Sequence, residues 1–214
     1  MSIKTLFKQR RSIRKYINQF VPNEFILETL EAASWAPSAH NAQPYRFIIV
    51  SDIMVKQSLA KAMAETWIKD LTKDNVATKK KEKADFSIKR FSSAPVFIVA
   101  CLTLEDMKQY PDEKRQLFER DLAVQSLGAA IQNMLLSASE NGLGACWFSA
   151  PIFCKDTVRQ ILNIPKIIEP QAIILMGYAN EKPNVRQRKS IEELCFRDAW
   201  GRPFYAIVDK STDH

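Results

Sequence analysis

Four segments of this chain carry more polar specificity than core packing requires. The first is Arg10-Arg11-Ser12-Ile13-Arg14-Lys15-Tyr16. Guanidinium forks match phosphate oxygens in pairs, and a serine hydroxyl adds a directed donor. The second is Ala36-Pro37-Ser38-Ala39-His40-Asn41-Ala42-Gln43-Pro44-Tyr45, in which two prolines pin a loop that presents Ser38, Asn41 and Gln43. Amide side chains donate and accept, which suits the alternating edge of a heteroaromatic ring. The third, from Asn141 to Pro151, places Gly142 and Gly144 before an apolar run and the small residues Ser149 and Ala150 after it. Small residues allow a flat ligand to approach the backbone. The fourth is Arg186-Gln187-Arg188-Lys189-Ser190, a second basic cluster suited to the same phosphate. Taken singly, each has a plainer account: a solvated face, a turn, or a helix C-cap followed by a buried strand.

The elements that must position these segments follow from periodicity. A short helix is expected over 2–10, and Pro22–Asn23 opens another with Ile26, Leu27, Leu30 and Ala33 at helical spacing. That helix ends before Pro37, since proline disfavours helical geometry in the residue preceding it. Residues 46–50 read as a strand. Ser51–Asp52 then caps a helix bearing Val55, Leu59, Met63 and Trp67. Residues 68–92 have no clear period and hold Lys79, Lys80, Lys81, Lys83, Lys89 and Arg90, so they read as a solvated helix or flap. Residues 95–101 are continuously apolar and predict a strand covered on both faces. The longest helical signal spans about 116–140, with Val124, Leu127, Ile131, Met134, Leu135 and Ala138 on one side. Gly128 within it costs roughly 1 kcal/mol relative to alanine, which implies a close backbone approach, in the fold or across a dimer. Strands are expected over 145–149, 171–177 and 204–208, and a helix over 157–162. From pattern alone, this alternation leans towards an α/β arrangement.

Composition narrows the function classes. The chain has 214 residues and a formal charge of +7, which fits nucleic acid, an anionic membrane surface or a phosphate-bearing ligand. Only five glycines are present, none in a G-x-G-x-x-G or P-loop pattern, so something other than a glycine loop must hold any nucleotide phosphate. Two histidines and four scattered cysteines argue against a zinc site or disulfide framework. Neither a signal-peptide core nor a membrane-length apolar run is found, and a cytoplasmic location is expected. Aromatic interleaving around the lysine run is poor, so nucleic acid is not expected as a partner.

In order, R-R-S-I-R-K-Y, A-P-S-A-H-N-A-Q-P-Y-R-F, G-L-G-A-C-W, I-I-L-M-G-Y and R-Q-R-K-S span residues 10 to about 190. Together they resemble the nitroreductase family of FMN-dependent oxidoreductases. The wording P-S-A-H-N-A-Q-P and G-L-G-A-C-W is most similar to the branch related to the flavin domain beside coenzyme F420 γ-glutamyl ligases.

The resemblance implies one α+β domain over 1–214, with a mostly antiparallel central sheet, in an intertwined homodimer with FMN at the interface. The tail, 191–214, would reach the partner subunit. Carried over by position, Arg10, Arg11 and Ser12 would hold the phosphate and ribityl chain, and Arg14 would face the N1–C2=O edge. Pro37, Ser38, Asn41 and Gln43 would meet the ring from the other subunit, and Ser149 and Ala150 would lie near N5. Arg186 and Arg188 would join on the phosphate. Where relatives often carry an acidic residue and glycine near N5, this chain has Ser149 and Ala150, and Tyr45 replaces the commoner tryptophan. The implied reaction is ping-pong hydride transfer from NADH or NADPH through flavin N5 to an electron-poor acceptor, such as a nitroaromatic or quinone. No side chain acts as a nucleophile and no metal is required. His40 is either a proton donor or a structural residue. The alternative is a flavin- or deazaflavin-binding protein with a different role.

Overall fold

Consecutive residues of the strand Val96–Leu102 enter two different cores, and every one of them is buried. The computed structural model describes residues 2–73 and 80–204. Residues 1–183 form one compact unit. It contains α1 (Ile3–Gln9), α2 (Asn23–Ser34), β1 (Tyr45–Ile49), α3 (Ile53–Lys73) and α4 (Lys80–Ser92). These are followed by β2 (Val96–Leu102), α5 (Glu113–Glu140), β3 (Gly144–Phe148), α6 (Lys155–Leu162) and β4 (Glu169–Gly177). The second unit, 184–214, holds the short helix α7 (Ile191–Leu194). Ser190 and Glu193 close a capping box around its first turn.

The sheet runs in the order β1-β2-β4-β3, and each pairing is antiparallel. Ile98, Ala100, Ile174 and Met176 face α2 and α5, packing with Ala33, Leu127, Ile131 and Met134. Phe97, Val99, Ile173 and Leu175 face the other way, onto Leu59 and Met63 of α3, Phe91 of α4 and Val158 of α6. A sheet covered on both faces explains the unbroken apolar runs in β2 and β4.

The fold is therefore α+β, as the resemblance implied, and the α/β lean from strand–helix alternation is corrected. Alternation signals a parallel sheet only when each helix carries the chain back to the end where the previous strand began. Here Ile49 closes β1 opposite Ile98, near the start of β2, so the chain re-enters the sheet at the end it left. Two helices, α3 and α4, occupy that connection.

Further expectations need correction. Leu27, on the expected apolar stripe of α2, is 65% exposed; Thr29 is buried instead, its hydroxyl donating to Phe25 O at 2.7 Å. Val124 of α5 is likewise partly exposed. Within 68–92, Ala84 and Phe91 are buried, so α4 is a packed helix rather than a solvated one. Lys79 lies outside the described residues, as do the side chains of Lys80, Lys81 and Lys83. No backbone approaches Gly128 among the described residues: a Cβ there would meet only the Trp147 ring, at 3.8 Å. Phe204 is not in a strand, and 205–208 lie outside the described residues.

Candidate functional site

The basic segment is strapped across one end of the sheet. Helix α1 is capped by Ser2, whose hydroxyl accepts from Thr5 N at 3.3 Å, and it stops at Gln9. Ile13 N then donates to Ala145 O, and Ile17 N to Tyr178 O, both at 3.0 Å. The Tyr16 hydroxyl donates to Ile13 O at 2.6 Å, with Leu175 O a second acceptor at 3.1 Å. Burial raises its pKa, so Tyr16 stays a donor. Glu181 Oε1 accepts the backbone N–H groups of Arg14 and, at 3.1 Å, Lys15. The segment is thus fixed by its backbone, leaving side chains to do other work.

Arg11 Nη1 donates to the carbonyls of Lys8 (2.6 Å) and Arg10 (2.8 Å) at the end of α1. Arg14 Nη1 donates to Ser12 O at 3.2 Å, using one of the five N–H donors of its fork. The fields of Arg14, Arg90 and Arg10 all favour the thiolate of buried Cys146, but burial outweighs them and pushes that thiol up. Three guanidiniums therefore act on one buried point beside the first residues of β3.

Arg90, on α4, was read from the sequence only as one cation of a solvated helix or flap. Its guanidinium lies 4.5 Å from the Phe86 ring centre and 5.6 Å from that of Phe148, in cation–π range. Burial lowers its pKa, and Arg14 lowers it further. Among the described residues, no carboxylate forms an ion pair with Arg90. A signal did exist in the sequence: Ala84, Ile88 and Phe91 mark the buried side of a helix, but the surrounding lysines obscure it.

A cavity of about 360 Å³ opens beside Arg90. Its walls include Trp67, Phe86, Phe91, Phe148 and Phe153, and Ala150 borders it. Ser149, which precedes Ala150 at the exit of β3, is exposed. The cavity therefore reaches the strand exit at Ser149–Ala150 that the sequence singled out.

The polar loop is built on unusual backbone. His40, Asn41 and Gln43 have φ of 57°, 55° and 46°, left-handed values that cost non-glycine residues energy and persist only where surrounding contacts impose them. Ser38 Oγ accepts from Gln43 N at 3.0 Å, and Ser126 Oγ accepts from Ala39 N at 3.1 Å. His40 Nε2 lies 3.3 Å from both carboxylate oxygens of buried Glu119. Helix α5 thus holds this loop by two side chains, and Pro37, Asn41 and Gln43 are exposed on it.

Within one chain, the loop and the basic segment are far apart. Ser12 bridges Ala145 alongside β3, whereas the loop enters β1 at Tyr45, on the opposite edge of the sheet. Three strand spacings separate those edges, about 14 Å. Along the strands, Ala145 is level with Met176 while Tyr45 is level with Leu102 and Glu169. That offset adds about 23 Å. Arg10, Ser12, Arg14, Ser149 and Ala150 thus belong to the β3 side, and Pro37, Ser38, Asn41 and Gln43 do not join them. Arg186 and Arg188 are exposed in the second unit.

Comparison with known proteins places these observations. A profile described as the Nitroreductase family matches residues 7–178. The YfhC protein of Bacillus subtilis, named provisionally as an NAD(P)H nitroreductase, is 30% identical over 198 residues, covering 89% of this chain and 91% of YfhC. A BluB-like flavoprotein from Clostridium difficile 630 superposes with a TM-score of 0.78 at 27% identity, covering 92% of this chain and 99% of that one. An FMN-dependent nitroreductase from Clostridium difficile R20291 shares the fold, with a TM-score of 0.68 at 22% identity, covering 92% of this chain and all of that one. The basic strap, the glycine-led edge strand and the pinned polar loop thus occur together in a chain that belongs to the nitroreductase family of oxidoreductases.

Proposed function

We propose that the protein is a cytoplasmic FMN-dependent oxidoreductase that works as a homodimer, with NADH or NADPH as electron donor. The observation that carries this is that Arg10 and Arg14 come together beside the head of β3, both acting on buried Cys146. An anionic cofactor suits that positive field. The flavoprotein name of the BluB-like neighbour points the same way. Four free cysteines accord with a reducing compartment.

Bound here, FMN would supply an N5 position that accepts hydride from a nicotinamide and passes it to an electron-poor acceptor such as a nitroaromatic or quinone. Arg10, Arg11 and Ser12 are assigned to the phosphate and ribityl chain, with Arg186 and Arg188 as further cations for the phosphate. Arg14 stabilises negative charge on the pyrimidine edge. Ser149 and Ala150 line the N5 side and leave room for a stacked ring. Pro37, Ser38, Asn41 and Gln43 come from the second copy, because one chain holds them too far from Arg14. Rate then comes from proximity and orientation over one ring face.

The test is direct. Purified protein is expected to be yellow, to release FMN on denaturation, and to bleach when mixed anaerobically with NADH or NADPH. A colourless protein that takes up no added FMN would refute the reading. A flavin-loaded protein that neither nicotinamide bleaches would favour a flavin or deazaflavin protein with another role.

A further inference from the structure

We propose that Arg90 makes the aromatic cavity selective for planar acceptors that carry an anionic group, such as aromatic carboxylates or phenolates. This rests on the preceding reading that electrons leave from a flavin beside Ser149 and Ala150. Three features of the cavity support it.

The first is shape. At about 360 Å³ the cavity is near the lower end for small-molecule sites, so one or two rings fill it. Its walls are dominated by Trp67, Phe86, Phe148 and Phe153, surfaces against which a flat ring gains offset or edge contacts.

The second is charge. Arg90 is half-buried against two aromatic faces, beside the like charge of Arg14, and no described carboxylate pairs with it. Glu181 is the acid whose field reaches it, and that carboxylate already receives the Arg14 and Lys15 backbone N–H groups. Arg14 is assigned to the flavin, which leaves Arg90 as the second cation. Two neighbouring guanidiniums repel unless an anion lies between them, and a fork offers a carboxylate paired donors.

The third is polarity. Asp70 also borders the cavity, and no ion pair joins it to Arg90 among the described residues. The cavity thus presents an acid and a base that are not paired with each other. An acceptor with one acidic substituent therefore has one favoured orientation, its anion towards Arg90 and its ring among the aromatics.

The experiment compares 4-nitrobenzoate with 4-nitrobenzyl alcohol as acceptors for the FMN-loaded wild type, Arg90→Gln and Arg90→Lys. Binding of the unreactive pair benzoate and benzamide is followed by calorimetry and by the flavin spectrum. Wild type is expected to favour the anion in both kcat/KM and Kd. Arg90→Gln should reduce that preference about tenfold, as loss of one charge-assisted hydrogen bond would, and Arg90→Lys should restore part of it. Equal affinity of wild type for benzoate and benzamide would overturn the proposal. So would an equal loss for both acceptors in Arg90→Gln together with a shifted flavin potential, which would assign Arg90 to the flavin. Calorimetry also reads benzoate binding in protein without flavin, so failure of the cofactor reading is seen separately.

Discussion

Gly144 lies directly beneath Ile13: a Cβ on Gly144 would stand 2.6–2.7 Å from three atoms of the Ile13 side chain. Ile13 is β-branched, buried and tied by its N–H to Ala145 O, so it has no ready way to move aside. Gly144→Ala is expected to lift the strap that carries Arg10, Ser12 and Arg14. Unfolding in urea should show a loss of about 1–3 kcal/mol from overpacking, and flavin content should fall with it. Gly142→Ala is the contrast, with φ of 73° and nothing within 4 Å of its Cβ. It should cost about 1 kcal/mol through backbone strain alone and leave the strap in place.

A site shared between two copies makes a prediction about mixtures. Arg14→Ala damages the β3 side of the site and Asn41→Ala the loop side, so homodimers of either should bind flavin poorly. Unfolding the two variants together and refolding them should restore roughly a quarter of the wild-type sites, because half of random dimers are mixed and one of their two sites is intact. Flavin absorbance after gel filtration gives the answer. No recovery would place both residues at one chain's site or at none.

Glu169 ties three elements together. It accepts from Arg120 Nη2 at 2.9 Å and from Lys155 Nζ at 2.5 Å, joining the start of β4 to α5 and α6. These cations hold its pKa down, from 4.5 to about 2, with the Arg120 hydrogen bond the largest cause. A depressed carboxylate stabilises the fold above its unfolded pKa, and that stability is lost as pH falls through the folded value. Glu169→Gln should therefore be less stable than wild type at pH 7 by about 1–2 kcal/mol, a figure discounted for partial solvent screening. The gap should close between about pH 4.5 and 2, as thermal melts across that range would record.

The thiols divide by burial. Burial pushes Cys101 up to about 12 and Cys154 up to about 11, and both are shielded. Cys195 is half-exposed in the second unit. Since the thiolate is the nucleophile, brief alkylation of native protein at pH 8 should label Cys195 ahead of the others. Cys101 and Cys154 should react only after denaturation, which peptide mass mapping would show.

The sequence was most legible where one physical rule acts alone. The unbroken apolar run in β2 read as a strand covered on both faces, and the three-four spacing of Leu127, Ile131, Met134 and Leu135 read as the buried stripe of a long helix. Asp52 was equally readable as a cap, since its Oδ1 accepts from Met54 N and Val55 N. Strand direction was not readable by pattern, because one helix or two between β1 and β2 leave the same alternation. The left-handed backbone at His40, Asn41 and Gln43 left no trace, as none of them is glycine. Arg90 was hidden in a lysine-rich run, because its seat between Phe86 and Phe148 depends on the fold. Gly142 and Gly144 were visible as residues, but the clash that requires Gly144 depends on Ile13, far away in the chain.

The opposite-corner placement of Ser12 and Tyr45 has a consequence for behaviour at low concentration. If each chain carries half of two sites, neither half competes for flavin until two copies meet. Dilution below the dimer dissociation constant should then release flavin without unfolding the chain. The fraction of flavin that stays with the protein, read against concentration, becomes a measure of assembly.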